Sequence, residues 1–454
     1  MTVSRIHNFT HRQYHRWYGV GRWLRYHITP VGRLVIWAAL AAAAVGIDTN
    51  MAMAYQVFTL LVAVLLVAIA GCRLRRAKLC GVRDLPRHAS VDSPLTYTLT
   101  LENMGSRSEY GLIIHEEMDD PRPSLAEFAN SAEPADAPKN WFDRTMGFPR
   151  WRYLLRRREM VRVPQLTISE VAAGETEQLR VTVNPRRRGV IRFANFVAAS
   201  PDPLGLVACV SRVSLPGSVV VLPKRYLLPP IDLPGSARYQ LGGVALASSV
   251  GESEEFVGLR DYRPGDPLRH IHWRSWAKRG LPVVKEFQQE FFVRHALVLD
   301  TFGGGIEDAV FEEAVSVAAS FACTVETHDS LLDLLFVGSQ AHCVTAGRGV
   351  AHAEQLLEVL AAVAACHELP FATLPGLICQ HADAVCGAIC VLLAWDEARQ
   401  DMVKQLALLG VPLLVYVITP EASLDLEPQL PPGDLRFLQL RVGSVQETLL
   451  AAAP

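Results

Sequence analysis

The sequence lacks the signatures that mark the commonest catalytic chains. It has no Gly-x-Ser-x-Gly elbow, no His-Glu-x-x-His pair and no phosphate loop ending in Gly-Lys-Ser/Thr. ATP hydrolysis through a loop of that kind is thereby excluded for this chain. Acidic residues are missing from the first stretch to Arg33, which carries Arg5, Arg12, Arg16, Arg22, Arg25 and Arg33. Over the whole chain the charges nearly balance, with a formal net charge of −2, so nothing global calls for nucleic acid. Cysteine is sparse: nine residues in 454, odd in number and scattered. No disulfide framework is visible, which fits a reducing compartment. Cys379, His381, Cys386 and Cys390 lie close in sequence, but their spacing matches no standard zinc pattern and they read as small core residues.

What the chain has in excess is apolar sequence. Half of its residues are hydrophobic and a fifth are charged. Leu34 to Ile47 is apolar, Asp48-Thr49-Asn50 interrupts, and Met51 to Cys72 is apolar again. A spanning helix needs about 20 such residues. The second segment qualifies, and Arg33 can snorkel to extend the first. Residues 31–73 therefore read as a transmembrane helical hairpin. Arginines precede it, and Arg73, Arg75, Arg76, Lys78 and Arg83 follow it, whereas its turn has no basic residue. Both ends are accordingly expected in the cytoplasm. A cleaved signal peptide is the rival, since Ala52-Met53-Ala54 mimics a cleavage site, but the long basic leader argues against it. Residues 1–30, basic and rich in Trp, Tyr and His, read as a segment lying on an anionic leaflet, with a nucleic-acid arm as the alternative.

Residues 78–224 alternate with period two, most clearly over Leu95 to Leu101, and turns fall at Glu102 to Ser106, Ala173-Gly174-Glu175 and Arg186 to Gly189. Several short strands at this spacing predict an immunoglobulin-like β-sandwich. Within it, 119–163 reads as an inserted long surface loop, with a partner-docking arm as the alternative. Residues 225–292 form a connector and a dense charged segment. Residues 293–450 alternate strand and helix, which predicts an α/β doubly wound sheet.

The densest stretch is Gly258 to Glu290. Pro264-Gly265 suits a type II turn, Asp266 stands where a helix N-cap belongs, and Gly280 where a helix ends. A helix is expected from Pro267 to Arg279, with His270 and His272 on nearly opposite faces and so unsuited to one metal. The pattern Gly258, Arg260, Tyr262, Pro264, Gly265, Asp266, Ile271, Trp273, Lys285, Glu286 resembles the bacterial "domain of unknown function 58" proteins. Arg188-Gly189, Asp202-Pro203-Leu204-Gly205-Leu206 and Phe311-Glu312 fit the same resemblance. It implies a membrane-anchored protein with a von Willebrand factor A-like domain, associated with a MoxR-type AAA+ ATPase. In that fold the carboxyl end of the first strand holds an Mg²⁺ site, Asp-x-Ser-x-Ser. Here the residues are Asp300-Thr301-Phe302-Gly303-Gly304, so both hydroxyls are replaced. Asp300 remains a degenerate metal candidate, with Thr301 and Asp396 as partial compensation.

These readings lead to a non-catalytic adaptor in the bacterial inner membrane, multi-pass, with its soluble domains cytoplasmic. Its expected partners are membrane lipid and proteins such as the MoxR-type ATPase, in protein assembly or maturation, and no nucleic acid. No cofactor is expected. An envelope enzyme using Arg260, Asp266 and Glu286, or a metal-dependent A-domain binder using Asp300, is the alternative.

Overall fold

The computed structural model describes residues 5–45, 52–74, 77–130, 146–228, 254–289, 293–303, 307–324, 330–347, 353–420 and 435–451. The chain divides into two units, Met1–Leu222 and Pro223–Pro454.

The first unit opens with three helices, α1 (Arg5–His27), α2 (Pro30–Val45) and α3 (Ala52–Leu74). Over Met53–Arg73, α3 is long and apolar enough to cross a membrane, whereas α2 is a shorter apolar helix of 16 residues. The two pack against each other and leave Leu34, Trp37, Leu60 and Leu66 exposed. Of the two expected spans, one therefore meets the length requirement among the described residues. The turn at Asp48 to Asn50 lies outside them.

Eight strands follow: β1 (Leu79–Asp84), β2 (His88–Ser90), β3 (Leu95–Asn103), β4 (Glu109–Met118), β5 (Leu166–Val171), β6 (Thr176–Val183), β7 (Gly189–Pro201) and β8 (Ala208–Leu222). They form one sheet in the order β1-β3-β6 and another in the order β2-β8-β7-β4-β5. The alternation in β3 sends Leu95, Tyr97, Leu99 and Leu101 into the core, where they meet Leu112, Ile114, Ile191 and Phe193 of the other sheet. Arg83 and Glu116 form a buried ion pair there, at 2.5 Å. Such a pair costs desolvation and is tolerated only when its remaining lone pairs and protons are satisfied. Here Tyr97 donates to Glu116, Arg83 also donates to the Leu215 carbonyl, and its guanidinium lies over the Phe193 ring.

Two expectations fail in this unit. The insertion is not simply a surface loop: it contains helices α4 (Leu125–Asn130) and α5 (Phe148–Arg158). Phe128, Trp151 and Leu154 are buried in a small separate core completed by Tyr14 and Tyr18 of α1. Five arginines in α5 mask its helical apolar spacing, and its partner lies more than a hundred residues upstream. Residues 131–145 of the insertion lie outside the described set. The cysteine reading fails as well. Cys72 and Cys209 are disulfide-paired with their Cα atoms 4.9 Å apart, although 137 residues separate them in sequence. The other seven cysteines are free.

In the second unit, β9 (Glu254–Asp261) and β10 (Val283–Gln289) pair antiparallel, with helix α6 (Trp273–Arg279) between them in sequence. Then come β11 (Val293–Leu299), α7 (Asp308–Thr324), β12 (Ser330–Val337), β13 (Ala341–Ala346), α8 (Ala353–Ala362), α9 (Thr373–His381), β14 (Gly387–Leu392), α10 (Glu397–Leu408), β15 (Leu413–Thr419), β16 (Leu435–Arg441) and α11 (Val445–Ala451). The six strands from β11 onward form one sheet in the order β13-β12-β11-β14-β15-β16, parallel except for β13 at its edge. Strand side chains alternate between two apolar layers. Val298, Cys390 and Val415 face α9 and α10, while Phe321 of α7 meets Tyr416 on β15. Cys386 and Cys390 are buried core residues, as their apolar context predicts, whereas Cys379 is exposed and His381 only partly buried, so the core reading fails for them.

Candidate functional site

Strands β9 and β10 bring several signature residues together. Gly258 lies opposite Glu286, Leu259 opposite Lys285 and Arg260 opposite Val284. The Tyr262 N–H donates to the Pro282 carbonyl, extending the pairing. Pro264-Gly265 makes the expected turn: the Asp266 N–H returns to the Arg263 carbonyl at 3.0 Å, and Gly265 has φ 108°. A side chain at Gly265 would be strained there, so glycine is needed. At Gly258 an added Cβ meets open space, and nothing in the structure explains the glycine.

Asp266 is not a helix cap. Its carboxylate turns back to take both Arg260 Nη groups at 2.7 Å and the Arg263 N–H at 2.8 Å. The expected helix from Pro267 is also broken. A 3-10 turn spans Leu268–His270, and Ile271 is extended and bridges Val284. The His272 N–H donates to the Val283 carbonyl, and α6 begins only at Trp273. The pairing demand of β10 overrides local helix preference. Ile271 is buried, whereas Trp273 is 64 % exposed and stacks on Trp276 at 5.2 Å. Gly280 ends α6 with φ 74°, as expected. The Glu286 side chain and residues 229–253 of the connector lie outside the described set.

The Asp266 carboxyl is held at about 2, below its ordinary 3.8, first by the Arg260 guanidinium and then by the Arg263 N–H. A depressed carboxyl stabilises the fold above its unfolded pKa and loses that contribution as pH falls through its folded one. The clamp is therefore complete above about pH 4 and opens toward about pH 2. The protection factor of the Arg263 amide, followed by hydrogen exchange, should fall across that window in the native chain and stay flat in Asp266→Asn.

A second constellation occupies the crevice at the carboxyl ends of β11 and β14, where crossovers leave toward opposite edges of the sheet and open α/β sheets bind ligands. Asp300 follows β11 and is fully buried. Its Oδ1 accepts the Phe302 N–H at 2.9 Å, and its Oδ2 accepts the Leu393 N–H at 3.1 Å and Arg399 Nε at 2.6 Å. Arg399 also donates to Asp396 Oδ2 at 2.5 Å and to the Phe302 carbonyl at 3.0 Å, and it lies over the Phe371 ring. Asp396 caps α10 through the Arg399 N–H. Thr301 is buried and donates to the Val337 carbonyl. These residues do not fit Mg²⁺. The guanidinium already pairs with both Asp300 and Asp396, Thr301 is committed to the sheet, and Phe302 offers a ring that packs on Phe371. Among the described residues no three His, Cys, Asp or Glu side chains group as metal ligands. The metal reading of Asp300 is thereby corrected, because Arg399 supplies the positive charge from within. Its position in α10, 99 residues downstream of Asp300, gave no signal in the sequence.

A third site lies in the first unit, at the Asp202 to Leu206 motif, whose partners the sequence did not reveal. Asp202 accepts the N–H groups of Leu204, Leu206 and Val207 and so shapes the loop at 202–207. Thr29, between α1 and α2, donates its hydroxyl to the Gly205 carbonyl at 2.6 Å, and its N–H donates to the Leu206 carbonyl. Ile28 bridges Val207, and Cys72 at the end of α3 joins Cys209. The loop that the resemblance singled out is a socket that receives both helix ends.

Residues 258–378 match a family model described as "Protein of unknown function DUF58". The "Uncharacterized protein YeaD" of Bacillus subtilis (strain 168) is 28 % identical over 178 residues, which is 38 % of this chain and 42 % of that protein. The chain thus matches under half the length of this curated relative. Among solved structures, the CARDB domain of the PF1109 protein from Pyrococcus furiosus shares 11 % identity and a TM-score of 0.17, covering 33 % of this chain and 90 % of that one. The ASH/PapD-like domain of human CEP192 shares 11 % identity and a TM-score of 0.18, covering 32 % and 87 %. Scores so low carry no argument. The family-model match and the YeaD similarity together support the DUF58 family for this chain.

Proposed function

We propose that the chain is a membrane-anchored, non-catalytic adaptor whose segment 258–285 presents a docking face to a protein partner. The family resemblance makes a MoxR-type AAA+ ATPase the partner of choice, in assembly or maturation of other proteins. The observation that carries the reading is the division of labour within the segment. Arg260 and Asp266 close their charges on each other, while Leu268, Trp273 and Leu281 stand 68 %, 64 % and 63 % exposed beside Arg274 and Arg279. Exposed Trp, Leu and Arg are what protein interfaces use as anchors and rim. A carboxylate held ionised by a bidentate guanidinium has no proton to give at neutral pH and, with its pKa held at about 2, is too weak a base to take one, which favours binding over acid–base chemistry. The strand order with β13 antiparallel at one edge supports a von Willebrand factor A-like reading of the second unit. Arg399 at its crevice favours a form that works without a metal. In the membrane, α3 spans and α2 pairs with it as the other arm of a hairpin. The arginines flanking both helices favour a cytoplasmic side for the folded units; the Cys72–Cys209 disulfide, a bond that reducing compartments seldom keep, argues the other way.

The test is co-purification of the ATPase with the detergent-solubilised full chain. Trp273→Ala removes an exposed ring and should weaken capture by about thirtyfold, the effect of an anchor worth ~2 kcal/mol. Tyr110→Ala, an exposed aromatic on the β-sandwich, should leave it unchanged. Equal capture by a folded Trp273→Ala chain would remove this face from the reading.

A further inference from the structure

The first unit holds an apolar surface that this docking face does not account for. Helix α1 has two unlike sides. His11, Tyr14 and Tyr18 face the insertion: His11 and Tyr14 lie within 6.5 Å of the Phe128 and Trp151 rings, and Tyr14 donates to the Met146 carbonyl. The opposite side exposes Phe9 (64 %), Trp17 (70 %), Val20 (48 %) and Trp23 (54 %), with Arg12 and Arg16 exposed among them. No acidic residue occurs in the helix. Its outer face is thus apolar, aromatic and purely cationic. Two residues after it ends, α2 begins.

We infer that the outer face of α1 lies in the headgroup layer of an anionic membrane, and that the insertion's α4 and α5 are the cradle that holds it there. Charge and continuity both specify the occupant. Arginines without acids are drawn to anionic lipid, and Trp rings favour the headgroup level, one end apolar and one wet. The helix leads directly into the apolar pair α2–α3. The break at Ile28–Thr29, pinned to the 202–207 socket, lets the chain change direction between a surface helix and the helix pair. The small core of Phe128, Trp151 and Leu154 then has a purpose. It fixes the rotation of α1 about its axis, so that the same residues always face outward. The inference rests on the proposed anchoring by α3, and the experiment separates the two.

The full chain is reconstituted in nanodiscs of phosphatidylcholine alone and of phosphatidylcholine with phosphatidylglycerol, and hydrogen exchange is followed by peptide. Each arginine near an anionic surface contributes a few-fold in affinity, so exchange across residues 5–27 should slow by about tenfold or more when phosphatidylglycerol is present. The double charge variant Arg12→Glu, Arg16→Glu, altered only at exposed positions of the outer face, should show no lipid dependence. Trp151→Ala, which empties the cradle, should also lose it while the β-sandwich peptides keep their protection. Slow exchange of α3 in both discs with equal exchange of α1 would overturn this inference and leave the anchoring intact. Fast exchange of α3 in both would remove the anchoring and this inference with it. Protection of α1 by added RNA in phosphatidylcholine discs, with none from phosphatidylglycerol, would overturn it in favour of nucleic acid.

Discussion

Replacing Arg399 with methionine should destabilise the α/β unit by about 3–5 kcal/mol, the range for breaking a buried ion pair from one side. The reason lies in what remains. Asp300 is fully buried and would keep only the Phe302 and Leu393 N–H groups. Asp396 is half exposed and can fall back on water, so most of the loss falls on Asp300. Urea unfolding of the full chain, read by a probe in the second unit, measures it. The double variant Asp300→Asn, Arg399→Met should be markedly more stable than the sum of the single changes, since an uncompensated charge is what costs most. The native chain should also show no shift of its thermal midpoint on adding millimolar Mg²⁺. A midpoint raised by Mg²⁺, or an Arg399→Met chain as stable as the parent, would dismiss the internal-cation account.

The other large effect belongs to Gly32. A Cβ built there would sit 1.9 Å from the Leu206 carbonyl oxygen. That atom is backbone in a loop fixed by three hydrogen bonds to Asp202, so it has little freedom to retreat. Gly32→Val should cost about 3 kcal/mol, at the upper end for overpacking, and should strip protection from the Leu206 and Val207 amides. Gly71→Ala in α3 is the control. Its added methyl meets open space, so the change should be neutral or slightly stabilising. Thermal unfolding of the two variants, followed by hydrogen exchange of residues 202–209, decides the matter. A Gly32→Val chain with native protection there would mean that the helix ends do not seat in the loop.

The sequence made some of this legible and not the rest, for physical reasons. Period-two alternation in β3 and the apolar runs at Ala296 to Leu299 and Val411 to Ile418 report burial directly, so these strands could be anticipated, whereas β1, β2 and β8 were not. The Arg263–Asp266 turn and the end of α6 at Gly280 followed from local backbone chemistry. What stayed hidden depended on distant partners. Asp266 is the exception: Arg260, six residues upstream, claims its carboxylate and denies it to a helix, a choice that local helix preference does not make. Nothing near Asp300 announces Arg399, and α9 was missed because Pro375 and Gly376 dilute its pattern. The helices of the insertion and the Cys72–Cys209 pair failed for the same reason: each is stable only against a surface more than a hundred residues away.

The socket at 202–209 has a mechanical consequence. One helix end is held by an isolated backbone bridge at Val207 and the other by a covalent bond at Cys209, two residues apart where the loop enters β8. A tilt or rotation of the helix pair is therefore carried into β8 as torque, because two grips a few residues apart leave no swivel. Strand β8 runs the length of the larger sheet, beside β7 and β2. With α3 in a bilayer as proposed, bilayer strain and sandwich orientation become one mechanical coordinate.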